Sequence, residues 1–296
     1  MSGRSNYNDQ VEVDVIMRAF DREVVDAVWE AVRGLLPVRV RSHPLGCCRP
    51  RVSDRLCFQG LLIRLVTGAS WTDIEAILEW RVSDTTLRAR RDEWIQAGVF
   101  DKLCSEALAA FDRVVGLDVS EVCVDGSIHK APCGGDGTGK SPVDRGKLGW
   151  KWSIATERRG IPVGWAIAGA NRNDSLLLEP TLAAVADTGL LADIETIHLD
   201  RGYAGDPVAK TCLSFGIDDI VRPPKRPPKT AQGQPKAEPL GRRWIVERTN
   251  SWLSNYGQLR RNTDRKPQSR HAALRLAVTI IIAAKLIDWR DRWNPT

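Results

Sequence analysis

Two acidic residues each follow a short apolar segment of the kind that forms a buried β-strand. Asp125 stands in VCVDGS and Asp200 in IHLDRGY. We predict strands over 121–124 and 194–199, each ending at its acid. Because ligand sites in α/β sheets gather at the carboxyl ends of strands, the two acids are predicted to share a polar site at the edge of a sheet.

From residue 116 onward the chain alternates strands with helices, so the predicted fold class is α/β, with a mixed sheet and flanking helices. A glycine-rich loop is expected over 126–148, after the first strand. Further strands are predicted at 150–156, 161–168 and 217–221, and helices at 174–188, 207–215, 241–259 and 269–289.

The chain up to residue 115 has helical spacing instead, which predicts an all-α N-terminal region. Two short helices, 73–80 and 85–94, flank a tight turn and form a helix-turn-helix pattern. Arg88, Arg90 and Arg91 on the second helix are candidate DNA contacts, and a solvated helical hairpin is the alternative. Other helices are predicted within 12–36, from a cap at Ser53 or Asp54 to Gly68, and over 95–115.

A third acid, Glu247, lies on the helix predicted over 241–259. This helix has an apolar stripe of Ile245, Thr249, Trp252, Tyr256 and Leu259, and a polar stripe of Arg243, Glu247, Asn250, Ser251 and Ser254. Glu247 is therefore expected to face away from the core. On the residues alone, a surface ion pair between Arg243 and Glu247 explains this spacing as well as a functional site does.

Three carboxylates in one place suit phosphodiester chemistry. Cleavage by the two-metal route needs carboxylates that hold two cations about 4 Å apart. Carboxylate oxygens are the ligands that Mg²⁺ or Mn²⁺ prefers. The net charge of +6 suits a polyanionic partner, and the proline- and lysine-rich segment 222–240 predicts a basic loop.

The remaining composition excludes other classes of protein. Seven cysteines, an odd number without CxxC spacing, predict free thiols and a cytoplasmic location. A zinc cluster of His43, Cys47, Cys48 and Cys57 is the alternative. No signal peptide and no membrane partner are expected, because the longest apolar run, 276–284, is too short to span a bilayer.

The series VCVDGS, IHLDRGY and RRWIVERTNSWL, in this order, resembles the catalytic core of DDE transposases from bacterial insertion sequences, of the IS4/IS5-like superfamily. The segments CCRPRVSDRLCFQGLLIRLVTGASWTDI and WIQAGVF resemble that family's helical DNA-binding region, so the resemblance covers about residues 45 to 290. It implies an RNase H-like catalytic domain over 116–296, preceded by the helical region 1–115.

The resemblance also implies roles for particular residues. Asp125, Asp200 and Glu247 would form the catalytic, metal-binding triad with two Mg²⁺ or Mn²⁺ ions. Arg243 matches the arginine of the family's signature helix. The signature's tyrosine and lysine would fall at Leu240 and Ser254, so neither is present, and Arg248, Arg260 or Arg261 could supply the missing charge.

Further basic residues near the acids are candidate contacts to the DNA backbone. They are His129, Lys130, Lys140, Arg201, Arg243 and Arg248. His198, inside an apolar strand, is interpreted as a core histidine. Residues 134–141, GGDGTGKS, satisfy the phosphate-loop pattern of nucleotide hydrolases, but neither a preceding strand nor a following helix is predicted there, so no nucleotide partner is expected.

The function predicted is metal-dependent cleavage at transposon ends, followed by transfer of the freed 3′-hydroxyl into target double-stranded DNA. A homodimer or higher multimer that pairs two ends is implied by the resemblance. One alternative is a non-catalytic repressor derived from a transposase, which would not need all three acids. The other is an RNase H-like nuclease that cuts DNA without joining it.

Overall fold

The computed structural model describes residues 18–38, 50–223 and 242–293. The chain divides into two compact units. The helical unit comprises 1–114, 253–262 and 268–296, and the sheet unit comprises 115–252 and 263–267. The first boundary between the units lies at 114–115, and the segments 253–262 and 268–296 group with the helical unit.

The helices before the sheet are α1 (Arg22–Leu35), α2 (Asp54–Thr67), α3 (Trp71–Ile77), α4 (Asp84–Gln96) and α5 (Val99–Val115). Their caps follow the local chemistry. Ser70 forms a capping box with Asp73, and the Ser83 side chain accepts a hydrogen bond from the Thr86 amide. Gly68 ends α2 in the left-handed conformation, with φ +71°.

Two details of the helix-turn-helix prediction are corrected. The helix predicted over 73–80 ends at Ile77, because Glu79 and Trp80 take a φ of +54°. Trp80, interpreted from sequence as core, is 73% exposed at this turn. The helix predicted over 95–115 begins only at Val99, because Gly98 turns the chain with φ +68°.

The sheet unit contains β1 (Glu121–Lys130), β2 (Gly139–Lys140), β3 (Leu148–Thr156), β4 (Pro162–Gly169), β5 (Thr196–Leu199) and β6 (Asp219–Val221). Its helices are α6 (Leu178–Ala186), α7 (Asp206–Ser214) and α8 (Trp244–Ser254). They are followed by α9 (Gly257–Arg260) and α10 (Pro267–Trp293), so the helix predicted over 241–259 is interrupted near Tyr256.

The sheet is mixed, as predicted. One edge of β1 pairs antiparallel with β3, and β3 pairs antiparallel with β4 and with the short β2. The other edge of β1 pairs parallel with β5, which pairs parallel with β6. Four strands joined by antiparallel pairing, with two more added in parallel, form the mixed sheet that the sequence led us to expect.

Strand β1 is longer than predicted. Its parallel pairing with β5 stops at Val124, opposite Leu199, while its antiparallel pairing with β3 continues to Lys130. Asp125 therefore lies where the parallel pairing with β5 ends, and the strand itself continues beyond it. The apolar pattern ends at Asp125 because only the first part of β1 lies between two neighbouring strands.

Other features follow the predictions. The segment 276–284 is largely buried within α10, and no helix among the described residues is long and apolar enough to cross a membrane. In GGDGTGKS, Gly139 and Lys140 form β2, and no helix follows within 140–147.

Candidate active site

Asp125 and Asp200 are neighbours at the edge of the sheet. Each follows directly on the residue that ends the parallel pairing of β1 with β5, Val124 on one strand and Leu199 on the other. Burial raises the pKa of Asp125 to about 6, and the negative charges of Asp200 and Asp174 contribute. The Gly126 amide and the charge of Arg243 oppose this rise without cancelling it. The sheet thus holds a carboxyl group where negative charge is already crowded.

Arg243 links the third acid to this pair. Its Nη1 lies 3.2 Å from Asp200 Oδ1, and its Nη2 lies 3.1 Å from Glu247 Oε1. Glu247 is about half exposed, on the polar face of α8. The ion pair considered from sequence is therefore present, but the same guanidinium also contacts Asp200.

The acids do not form a compact metal cage as they stand. Among the described residues, no three His, Cys, Asp or Glu side chains are close enough to hold one ion. Arg243 contacts both Asp200 and Glu247, so a cation already balances these two carboxylates.

Asn250, one turn after Glu247 on α8, contacts the carboxylate of Asp125. Its Nδ2 donates to Asp125 Oδ2 at 3.1 Å, and its Oδ1 accepts from Trp152 Nε1 at 2.8 Å. Ile245 and Val246, on the first turn of α8, pack against Cys123 of β1. Helix α8 therefore covers the face of the sheet on which Cys123 and Asp125 lie. The buried stripe predicted for this helix is confirmed, since each of its five residues is at most 3% exposed.

A fourth acid, Asp174, was missed as a site residue by sequence reasoning. Its Oδ1 lies 2.6 Å from Nζ of Lys151, a lysine that is 3% exposed on β3. A Cβ at Gly126 would clash with the Asp174 carboxylate, so the glycine beside Asp125 makes room for it. A lysine inside the apolar strand LGWKWSIAT was the available signal, because a buried lysine needs a carboxylate partner. We refer to Asp125, Asp174, Asp200 and Glu247 as the acid cluster.

Tyr203 and His198 lie nearby in buried positions. Tyr203 is 1% exposed, and burial raises its pKa. His198 Nε2 lies 2.8 Å from Glu121 Oε2, which confirms it as a satisfied core histidine.

The candidate DNA contacts near the acids differ in their exposure. Lys130, Lys140 and Arg201 are exposed. His129 is only 7% exposed and stacks on Trp152, and burial lowers its pKa to about 3. The expectation that His129 faces the DNA is therefore corrected, since a neutral histidine under a tryptophan presents no charge to a phosphate.

Arg248 has a packing role on α8. Its guanidinium lies 4.6 Å from the ring centroid of Trp244 and 4.7 Å from that of Trp252. It also donates from Nη2 to the Arg159 carbonyl at 3.0 Å. These contacts engage the charge within the protein, so Arg248 is a weaker candidate for a DNA contact than the exposed lysines.

The three arginines of α4 also differ in their exposure and in their partners. Arg88 is half exposed and pairs with Asp84 at 2.7 Å. Arg91 lies over the Trp71 ring and pairs with Asp92. Arg90 is 5% exposed and pairs with Asp54 and Glu93, so burial removes it from the candidate DNA contacts.

Some predictions fall outside the described residues. They concern His43, Cys47 and Cys48 of the alternative zinc cluster, the basic loop apart from 222–223, Leu240, and the start of the helix within 12–36.

Two family models match the chain. The model described as Transposase DDE domain matches residues 118–282, more than half of the chain. The chain belongs to the DDE transposases. A second model, described as Putative transposase of IS4/5 family, matches residues 24–104 of this transposase. It is thus a DNA transposase, and enzymes of its family cleave DNA and transfer strands with divalent metal ions.

The similar curated proteins come from Burkholderia cepacia. The putative transposase for insertion sequence element IS402 is 32% identical over 150 residues, which are 49% of this chain and 67% of that protein. The uncharacterized 16.2 kDa protein of insertion element IS402 is 32% identical over 117 residues, which are 40% of this chain and 79% of that protein.

Solved structures with detectable similarity include two complexes of the Mos1 transposase. The pre-cleavage Mos1 transpososome is 12% identical, with a TM-score of 0.26 over 84% of this chain and 82% of that chain. The paired-end complex with the left transposon end is 12% identical, with a TM-score of 0.25 over 62% of each chain. TM-scores this low do not identify a family, so the assignment to the DDE transposases rests on the sequence matches.

Proposed function

We propose that this transposase cleaves the ends of a DNA element and joins the freed 3′-hydroxyl to target DNA, with Asp125, Asp200 and Glu247 as ligands of two Mg²⁺ or Mn²⁺ ions. The observation that carries the proposal is the position of Asp125 and Asp200 side by side where two parallel strands stop pairing, with Arg243 joining Glu247 to Asp200.

The residues present fit divalent ions by their chemistry. All the ligand atoms offered are carboxylate oxygens, which Mg²⁺ and Mn²⁺ prefer. The four acids of the cluster face two cations, Arg243 and Lys151, of which Lys151 contacts only Asp174 among the four. The surplus of negative charge favours the binding of a cation, and a cation would also relieve the burial that raises the pKa of Asp125.

Each residue has a distinct part in the proposed reaction. When bound, the divalent ions would activate the attacking water or 3′-hydroxyl and neutralise charge on the leaving oxygen. Asp125 offers a carboxylate fixed by the sheet, while the more exposed Asp200 and Glu247 adjust around it. Arg243 balances these two acids in the metal-free protein and becomes available to a DNA phosphate when they bind ions.

The DNA would contact both units of the chain. Lys130, Lys140 and Arg201 are exposed in the sheet unit and would bind phosphates near the acids. In the helical unit, α3 and α4 would recognise the element ends, with Arg88 as the exposed arginine of α4. A homodimer or higher multimer would pair two ends, and the reaction would take place on DNA in the cytoplasm.

A cleavage assay on DNA carrying the element's ends tests the proposal. We expect Mg²⁺-dependent cleavage by the wild type and loss of cleavage by Glu247→Gln, which keeps the side-chain volume but removes the charge. Glu179→Gln is the matched control, because Glu179 is an exposed glutamate at the start of α6. Equal cleavage by wild type and Glu247→Gln would reject the triad.

The same assay separates the alternatives. A repressor would shift the mobility of the DNA without cutting it in Mg²⁺ or Mn²⁺. A nuclease would cut the ends without producing joined products on a target plasmid. The transposase proposed here gives both cut ends and joined products.

A further inference from the structure

We infer that Asn250 is a positioning residue for Asp125, and that the Trp152 indole sets the direction in which the Asn250 amide points. This inference rests on the proposed function, because it assigns how one proposed metal ligand is held. The observation behind it is the chain of two hydrogen bonds, from Trp152 Nε1 to Asn250 Oδ1 and from Asn250 Nδ2 to Asp125 Oδ2.

The direction of this chain follows from the chemistry of its members. An asparagine amide has an oxygen that accepts and a nitrogen that donates, and the two can exchange places by a flip. The indole nitrogen can only donate, so it holds the amide oxygen on its own side. The amide nitrogen must then face Asp125, whose ionised carboxylate can only accept.

The indole is itself held firmly. Trp152 is fully buried on β3, and its ring stacks on His129 with centroids 3.7 Å apart. Trp150 contacts the same ring edge-on, with centroids 5.2 Å apart. His129 thus finds a role that the sequence did not suggest, because it supports the indole from within the core.

The register explains why these groups can meet. Asp125 lies opposite Ile154, and Ser127 lies opposite Trp152. Side chains two residues apart on a strand share a face, so Asp125 and Trp152 lie on the same face of the sheet. Asn250, 8% exposed on α8, bridges the two from above that face.

The consequence concerns the carboxylate geometry. Asn250 engages Oδ2 of Asp125 and so limits rotation of the carboxylate about its last torsion. Residues that orient metal ligands typically change metal affinity or activity by about 10–100-fold when they are replaced. Asn250 lies one turn after Glu247, so the same helix carries one proposed ligand and orients another.

Mn²⁺ binding to the full-length protein without DNA, followed by electron paramagnetic resonance, tests this inference. Asn250→Leu removes the donor and is expected to raise the Kd for Mn²⁺ by about 10–100-fold. Trp152→Phe keeps an aromatic ring but releases the amide, and we expect a smaller rise. Thr249→Val is the matched control, because Thr249 is a buried polar residue of α8 whose hydroxyl donates to the backbone carbonyls of Gly160 and Ile245, and its replacement should leave the Kd unchanged.

The double variant Trp152→Phe/Asn250→Leu distinguishes a chain from two separate effects. If Trp152 acts through Asn250, the double variant binds Mn²⁺ no more weakly than Asn250→Leu. If the double variant instead raises the Kd by the product of the two single-variant factors, the role given to Trp152 is overturned. A Kd for Asn250→Leu equal to that of Thr249→Val would overturn the role given to Asn250.

Asp125→Asn separates the failure of this inference from the failure of the proposed function. Loss of Mn²⁺ binding by Asp125→Asn, with unchanged binding by Asn250→Leu, would reject the positioning role alone. Unchanged binding by Asp125→Asn would reject both. Should Asn250→Leu fail to fold, Trp152→Phe carries the test, with an unchanged Kd as the contrary result. In cleavage assays, Asn250→Leu is expected to show a lower kcat with an unchanged KM for DNA.

Discussion

Two groups of charged side chains, one in each unit, differ in the balance between their positive and negative charges. In the helical unit, Arg51 and Arg90 pair with Asp54 and Glu93, two cations with two acids. We call this group the balanced cluster. In the sheet unit, the four carboxylates of the acid cluster form ion pairs with two cations among the described residues, Arg243 and Lys151.

This difference in charge balance indicates that one cluster stabilises the fold and the other serves the function. A cluster whose charges cancel leaves no buried charge unpaired and ties segments of the chain together, so removing one of its members is destabilising. A cluster with a surplus of one sign costs stability and is retained where the charge has another use. The acid cluster, with the raised pKa of Asp125, is of the second kind.

The largest effect is expected from removing a cation of the balanced cluster. Arg90→Met should lower the free energy of unfolding by about 2–3 kcal/mol, because it leaves Asp54 and Glu93 to share one cation, Arg51, although these acids are partly exposed. Chemical denaturation measures this. The Kd for Mn²⁺ should stay at the wild-type value, and weaker Mn²⁺ binding by the folded variant would contradict the separation of the two clusters.

The opposite sign is expected in the acid cluster. Asp125→Asn should raise the free energy of unfolding of the metal-free protein by about 1–2 kcal/mol at pH 8. A carboxyl group whose pKa is raised on folding to about 6 destabilises the folded state as the pH rises through that value. The gain should therefore vanish near pH 4. Denaturation in EDTA at both pH values tests this, and a loss of stability at pH 8 would contradict a surplus of negative charge.

The smallest effect on stability is expected at Arg88, on the same helix as Arg90. Arg88→Ala should change the free energy of unfolding by less than about 0.5 kcal/mol, because the pair with Asp84 is exposed. If Arg88 contacts a phosphate, Arg88→Ala should reduce the slope of log K for DNA binding against log salt concentration by about one in magnitude. An unchanged slope would remove Arg88 from the DNA interface.

Local signals in the sequence predicted much of the fold. The apolar runs before Asp125 and Asp200 mark strands that pair in parallel. The apolar stripe of α8 was also readable, since helical spacing requires no knowledge of the partner surface.

The features that were missed depend on contacts distant in the sequence. Arg90 shares the buried face of α4 with Leu87 and Trp94, but its partner Asp54 lies 36 residues away, so the sequence did not reveal the ion pair. Lys151 and Asp174 are 23 residues apart, so neither predicts the other. Asp125 looked like the end of a strand because antiparallel pairing with β3 leaves no apolar signal beyond Val124.

The most direct test of the central claim is anomalous diffraction from crystals grown with Mn²⁺. We predict manganese coordinated by carboxylate oxygens of Asp125 and Asp200, with Arg243 displaced from Asp200 and Glu247. Crystals that show manganese away from these acids, or none while Arg243 still bridges Asp200 and Glu247, would contradict the account.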